Sequence, residues 1–413
     1  MDTNQSGLNM RLAEHITVSS EGNEEKFKIK TYNNLSPIGL EKLSSARYEI
    51  GSEIEYPDAI LLRSQDLHNV VIPDTVKAVG RAGSGVNNIP VDELSARGVP
   101  VFNAPGANAN AVTELTIAGL LMAARNIPEA LAFVNGLKDE DGGLDARVEQ
   151  SKCRFSGIEL AGKTLGVVGL GAIGVKVSNV ARALGLKVVG FDPQMTLENA
   201  WRLSSDAIPA DSLNELLSRS DFVSLHVTLN DQTRHLMDDI RIGKMKPNAT
   251  LLNFSRAEIV DEAALLAALD TAMLRAYVSD FPSPALLNRP RAIVLPHLGA
   301  STKEAEENCA RMVCEQVRDF LENGTIRCAV NFPDIHLSRN EHFRLAIAND
   351  NIPGMVSQIT AILAENNINI VDMLNKSRGN YAFTLIDINE RISPELLARL
   401  ISIKGVLSAR GIA

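Results

Sequence analysis

The stretch Gly169-Leu170-Gly171-Ala172-Ile173-Gly174 constrains this chain more than any other. An apolar run before it, Thr164 to Val168, reads as a buried strand, and the amphipathic segment from Val175 to Leu184 reads as a helix. A second apolar run, Val188 to Phe191, ends at Asp192, 18 positions past the last glycine. Strand, glycine turn, helix, strand, acid is the order of a dinucleotide-binding βαβ unit. The first glycine permits a tight turn, the second lets the backbone approach a pyrophosphate, and the third lets helix and strand pack closely. The N-terminus of the following helix supplies N–H donors and partial positive charge. A carboxylate at Asp192 can hold both ribose hydroxyls and would repel a 2′-phosphate, which points to NAD rather than NADP. A glycine triplet alone would equally suit a chance turn; the register of all five parts makes the reading specific.

At 413 residues the chain exceeds one ordinary domain, so two or three are expected. A hydrophobic content of 45% suffices for sizeable cores, and no apolar run approaches the ~20 residues that span a bilayer. The net charge of −9 argues against nucleic acid as the main partner. Cys153, Cys309, Cys314 and Cys328 show no regular spacing. They read as reduced thiols of a cytoplasmic protein without a signal peptide, and no metal site is expected.

The first 25 residues are polar and read as a disordered or loosely packed extension. From Phe27, short apolar runs at Phe27–Lys30, Ala59–Leu62, Val76–Gly80 and Pro100–Asn103 read as strands, with Ile38–Arg47 and Val91–Arg97 as helices. The apolar helix expected over Val112–Arg125 would carry the chain into a second domain. Past Asp192, strands are expected at Phe222–His226, Thr250–Phe254, Tyr277–Ser279 and Ile293–Leu295, giving a doubly wound sheet of six strands. A helix over Thr302–Glu322 would return to the first domain. From about residue 337 the pattern is βαββαβ, a ferredoxin-like layout whose open sheet edge invites pairing between chains. The expected fold class is thus α/β, with two doubly wound Rossmann-like domains and a C-terminal ferredoxin-like domain. Residues 26–115 and 300–335 would form one domain, 116–299 the dinucleotide-binding domain and 337–413 the last.

Two polar residues stand where ligands sit in open α/β sheets, just past strand C-terminal ends: Arg256 after Phe254-Ser255, and His297 after Leu295-Pro296. An arginine there can clamp a carboxylate bidentately, and a histidine can exchange a proton with a hydroxyl. Taken singly, Arg256 could equally be a surface ion-pair residue and His297 a capping residue.

The segments Gly80-Arg81-Ala82-Gly83-Ser84-Gly85-Val86-Asn87-Asn88-Ile89, Asn103-Ala104-Pro105-Gly106, the glycine turn with Asp192, Asn253-Phe254-Ser255-Arg256, Pro296-His297-Leu298-Gly299-Ala300-Ser301-Thr302 and Val330-Asn331-Phe332-Pro333 occur in this order. In them, from about residue 27 to the end, the chain resembles the D-isomer-specific 2-hydroxyacid dehydrogenases, and among them those acting on 3-phospho-D-glycerate with a C-terminal ACT domain. The resemblance implies NAD-dependent oxidation of that acid to 3-phosphohydroxypyruvate, at the entry to serine synthesis. It implies that Arg256 holds the substrate carboxylate and carbonyl and that His297 is the acid–base. Gly169, Gly171, Ala172, Ile173, Gly174, Asp192, Phe254, Ser255, Arg256, Asp280, His297, Gly299 and Ala300 would line the cofactor. The Gly83-Ser84-Gly85 amides would form a carboxylate nest, and Arg63 and Arg81 would take the substrate phosphate, although both could be ordinary surface arginines.

One departure stands out. The family places a glutamate after the strand ending near Asp280, where it pairs with the histidine; this chain reads Asp280-Phe281-Pro282-Ser283-Pro284-Ala285-Leu286-Leu287. Asp280 would contact the nicotinamide side of the cofactor and is the one carboxylate that could take over the pairing. The family's Arg-Gly is Arg256-Ala257 here. In the ACT segment, Asn351 and Asn369 match effector-binding positions and Asn349 stands at a third, where the family often has a histidine, with serine bound between paired domains of a homodimer or homotetramer; their plain reading is capping and turning the chain. Two other readings remain open: a sibling dehydrogenase for glycerate, hydroxypyruvate or another 2-hydroxy acid, and an NAD-responsive regulatory protein with feeble catalysis.

Overall fold

The computed structural model describes residues 26–137 and 143–413; the polar extension expected over residues 1–25 lies outside them. The chain divides into two compact units, one of Met1–Ala107 with Glu306–Ala413 and one of Asn108–Ala305.

The first unit opens with five parallel strands: β1 (Phe27–Thr31), β2 (Tyr48–Gly51), β3 (Ala59–Leu62), β4 (Ala78–Arg81) and β5 (Val101–Phe102). Their order in the sheet is β2-β1-β3-β4-β5, a doubly wound arrangement. The helix expected over Ile38–Arg47 is confined to Pro37–Leu40; turns follow, and β2 begins only at Tyr48. The cause is tertiary. The Tyr48 ring stacks on Phe27 with centroids 5.6 Å apart, and its hydroxyl donates to Glu322 at 2.6 Å. The helix Lys303–Asn323 lies across this sheet so closely that a Cβ on Gly80 would stand 2.7 Å from Val313 and 3.0 Å from Val317.

The same unit holds the C-terminal sheet, made of β13 (Phe343–Asp350), β14 (Ile370–Arg378), β15 (Tyr381–Ile388) and β16 (Val406–Ile412) in antiparallel order β14-β15-β13-β16. Helices Met355–Glu365 and Pro394–Ile401 complete the βαββαβ layout. Both faces of this sheet are covered. Leu345, Ile347, Ile386 and Ile388 pack under the two helices. Ala346, Ala348, Phe383, Leu385 and Ile412 share a core with Phe102, Phe320, Phe332 and the sheet of β1–β5. That is why β13 is buried along its length instead of alternating. Arg344 and Asp387, both fully buried, lock the joint. Arg344 Nε and Nη2 donate to the carboxylate at 2.6 and 2.9 Å, and its other donors go to the carbonyls of Asn323, Leu337 and Ser338.

The second unit is built on seven parallel strands: β6 (Thr164–Val168), β7 (Lys187–Phe191), β8 (Ile208–Pro209), β9 (Phe222–Leu225), β10 (Ala249–Asn253), β11 (Leu274–Ser279) and β12 (Ala292–Val294). They run in the order β12-β11-β10-β9-β6-β7-β8, which reverses direction at β6. The sheet has one strand more than the six expected. The addition, β8, is a two-residue exposed edge piece with no apolar run to announce it. Helix Ala109–Arg125 covers the β6–β11 face through Val112, Leu120, Ala123 and Ala124. Among the described residues no single helix is long and apolar enough to cross a membrane.

Candidate active site

At the switch point of the seven-stranded sheet, β6 runs into the glycine turn. Gly169 has φ +88, and a Cβ there would stand 2.6 Å from the carbonyl oxygen of His226. A Cβ on Gly174 would stand 1.9 Å from the carbonyl oxygen of Gly169, so only hydrogen fits. Gly171 differs: a Cβ there would meet nothing within 4 Å. That open side, at the N-cap of helix Ala172–Ala183, is the space a pyrophosphate needs against free helix N–H groups. Asp192 closes the far edge. One carboxylate oxygen accepts from the Leu170 amide and the other from the Gln194 amide, both at 2.8 Å, which leaves lone pairs for ribose hydroxyls. These residues fit NAD.

Three further strand ends of this unit carry the remaining polar groups. After β10, the fully buried Asn253 donates to the Arg256 carbonyl at 2.8 Å and accepts from the Ser255 amide at 3.2 Å, and the Ser255 hydroxyl bonds the Leu225 carbonyl at 2.8 Å. The loop is thereby fixed, and Arg256 Nη1 donates to the Ser255 carbonyl at 2.6 Å. After β11, Asp280 is 2% exposed, and its two carboxylate oxygens accept from the Leu298 and Gly299 amides at 2.7 Å. His297 sits at φ +57 in the loop this carboxylate organises, and its amide donates to the Asp280 carbonyl at 3.0 Å.

Asp280 therefore holds the histidine's backbone; its carboxylate oxygens are taken by amides and do not pair with the imidazole. Among the described residues no carboxylate lies within ion-pair distance of His297. Its ring instead meets the Phe281 ring edge to face, with centroids 5.2 Å apart. Phe281 was not singled out from sequence, and an aromatic directly after the strand-end aspartate was its only signal.

His226, at the end of β9, was also passed over, although it stands at a strand end just as His297 does. Its imidazole shares a hydrogen bond of 2.8 Å with the Ser224 hydroxyl, and burial pulls its pKa down to about 4. It stays neutral near pH 7.

In the first unit, Arg81 Nη1 donates to the Gly85 carbonyl at 2.6 Å, and the Asn103 amide donates to the Ser84 carbonyl at 2.5 Å, fixing the Gly83–Gly85 loop. Arg63, at the end of β3, pairs with Glu306 at 2.7 Å, both partners being about two-fifths exposed. Cys309 lies close by; burial raises its thiol pKa against the pull of Arg63 and Arg81.

The three asparagines of the C-terminal domain do not converge. Asn349 is buried and donates to the Asp350 carbonyl at 2.7 Å. Asn351 donates to the Gly379 carbonyl at 3.0 Å, beside the Tyr381 end of β15, while Asn369 pairs with Asn389 beyond the Ile388 end. At ~3.3 Å per residue, the length of β15 separates Asn351 from Asn369 by roughly 20 Å. Among the described residues no cluster of His, Cys, Asp and Glu could hold a metal.

Residues 117–299 match the NAD-binding domain model of the D-isomer specific 2-hydroxyacid dehydrogenases, and residues 344–405 match the ACT domain. The D-3-phosphoglycerate dehydrogenase of Methanocaldococcus jannaschii is 33% identical over 403 residues, spanning 93% of this chain and 72% of that protein. That of Haemophilus influenzae is 34% identical over 345 residues, spanning 81% of this chain and 80% of the relative. Among solved structures, NAD+-bound 3-phosphoglycerate dehydrogenase of Entamoeba histolytica aligns with a TM-score of 0.57 at 26% identity, over 74% of this chain and 99% of that one. A glyoxylate reductase from Paecilomyes thermophila aligns with a TM-score of 0.62 at 26% identity, over 74% and 98%. With a glycine turn shaped for NAD and relatives at this identity along most of its length, the chain belongs to the D-isomer specific 2-hydroxyacid dehydrogenases, NAD-dependent oxidoreductases, and carries an ACT domain at its C-terminal end.

Proposed function

We propose that this enzyme oxidises 3-phospho-D-glycerate to 3-phosphohydroxypyruvate. The observation that carries the reading is the strand-end set Arg256 and His297 on an NAD-binding sheet, in a chain whose relatives are named for this reaction. NAD supplies the hydride acceptor. The Arg256 guanidinium, held by the Asn253 loop, binds the substrate carboxylate and polarises the forming carbonyl. The His297 imidazole takes the hydroxyl proton as hydride leaves C2, so the products are the 2-keto acid, NADH and a proton. The Gly83-Ser84-Gly85 amides cradle the carboxylate, and Arg63 and Arg81 take the phosphate. In this reading residues 26–115 and 300–335 form the substrate-binding domain and 116–299 the cofactor domain. The four free thiols support a reducing, cytoplasmic setting.

The assembly is a homo-oligomer. Helix Ile127–Asn135 buries none of its residues and exposes Ile127, Leu131 and Val134, an apolar face suited to a second copy. An amino-acid effector, serine, would sit between two paired ACT domains, because Asn351 and Asn369 are too far apart to meet in one chain.

Initial rates on phosphoglycerate, glycerate and other D-2-hydroxy acids test this reading. Phosphoglycerate is expected to have the highest kcat/KM, and a preference for an unphosphorylated acid would point to a sibling dehydrogenase. That no carboxylate among the described residues pairs with His297 favours one alternative, an NAD-responsive protein with slow turnover, which would show NAD binding with negligible rates on every substrate.

A further inference from the structure

We propose that the base of the cofactor-binding unit carries a second ligand site, for a small multivalent oxyanion, framed by Arg275 and Arg291. A cavity of about 280 Å³ is lined by these two arginines together with Asn126, Asn248, Ser156 and Glu129. Its place in the fold separates it from the cofactor crevice. Asn248, Arg275 and Arg291 stand at the starts of β10, β11 and β12, the amino ends of parallel strands. Asp192, Arg256, Asp280 and His297 all follow the carboxyl ends, on the opposite side of the sheet. Asn126 caps the last turn of helix Ala109–Arg125, whose carbonyl-rich end accounts for a cation being drawn there.

The two guanidinium groups are poorly satisfied. Arg275 Nη2 reaches the Ala124 carbonyl at 3.5 Å and the Asn126 side-chain oxygen at 3.4 Å, both at the outer limit of a hydrogen bond. Its Nε is buried and has no hydrogen-bond partner among the described residues. Arg291 Nη1 reaches, among the described residues, only the Leu269 carbonyl, at 3.5 Å. Among the described residues neither makes an ion pair, whereas Arg289, two positions before Arg291, grips Asp270 at 2.6 and 2.7 Å. A guanidinium offers five donors in a planar fork, and a buried donor left unmet is costly. Oxyanions match that fork. With Glu129 counted, the charged lining carries a net +1; the Asn126 amide donates to the Ser156 carbonyl at 3.0 Å, and Asn248 adds a neutral amide to the lining. The volume suits a phosphate or a short dicarboxylate, well short of a nucleotide.

The test is made on the full chain with inorganic phosphate as probe. In equilibrium dialysis at pH 7, the native protein should bind one more equivalent than Arg275→Gln. Arg291→Gln, at an exposed position, should weaken that equivalent by about tenfold, the loss of one charge-assisted contact. Both variants should keep kcat/KM for the hydroxy acid within about twofold, since neither residue touches the catalytic loops. Crystals soaked in selenate should show anomalous density between the two guanidiniums, and malonate competing for it would place dicarboxylates among the ligands. Equal phosphate stoichiometry in all three proteins would overturn the proposal, as would selenate absent from the cavity or a side chain of a second copy filling it.

Discussion

His226 makes a residue-scale prediction whose sign follows from burial alone. Its pKa is about 4 in the folded chain and near 6.5 when unfolded, so between these values the unfolded chain takes up a proton that the folded chain refuses. Stability at this site is intact above pH 6.5 and is lost as pH falls towards 4, by on the order of 2 kcal/mol. Denaturant unfolding of the native protein and His226→Gln at pH 7 and 4.5 measures it: the variant should lose less stability over that window, and parallel curves would refute the assignment. Asp280 makes a second prediction. Its carboxylate serves the Leu298 and Gly299 amides, so Asp280→Asn should slow turnover through a loosened His297 loop, by roughly 1–3 kcal/mol, and leave the acidic limb of the pH–rate profile in place. A limb that moves to lower pH would show that carboxylate and imidazole are coupled. Asp192→Ser should raise the kcat/KM ratio of NADP to NAD and also weaken NAD, because the same carboxylate holds the Leu170 amide. Comparable use of both cofactors by the native enzyme would remove the basis of that assignment.

Among the elements, the joint between the ACT sheet and the sheet of β1–β5 holds a buried ion pair beside a shared core. Arg344 and Asp387 are both fully buried, and Asp387→Ala would leave a guanidinium uncompensated inside the core. A loss of about 3–5 kcal/mol in urea unfolding is expected, with Arg344→Met/Asp387→Leu recovering much of it by removing both charges. At this scale the sequence was readable wherever local chemistry decides the outcome. The glycine turn, its flanking strands and the βαββαβ order of the last domain all follow from apolar periods and turn residues. It was unreadable where distant residues decide. Nothing near Tyr48 announces a strand, because the Phe27 ring and the Glu322 carboxylate make it one. The same holds in the site: Asp192 is legible from spacing, whereas the Asp280 bonds to amides 18 and 19 residues on need the folded loop.

For the whole molecule, the ACT domain is not a detachable sensor. Deleting residues 337–413 would bare Phe320, Phe332 and the face they share with Phe383 and Leu385, so the truncated chain is expected to aggregate and not to survive as an unregulated enzyme. A monodisperse, active truncation in light scattering would contradict the shared core. The division of the chain into units also governs its synthesis. The cofactor unit is one contiguous stretch, Asn108–Ala305, whereas the other is split around it. Strands β1 to β5 leave the ribosome first, yet their covering helix, with Val313, Val317 and Phe320, and the ACT sheet come last. At a synthesis rate of ~5–20 residues per second, those early strands wait roughly 15–60 s for their core while the cofactor unit folds ahead of them. The newborn chain thus completes its nucleotide-binding unit before the unit split around it, and through that interval an uncovered parallel sheet is the part of it most in need of a chaperone.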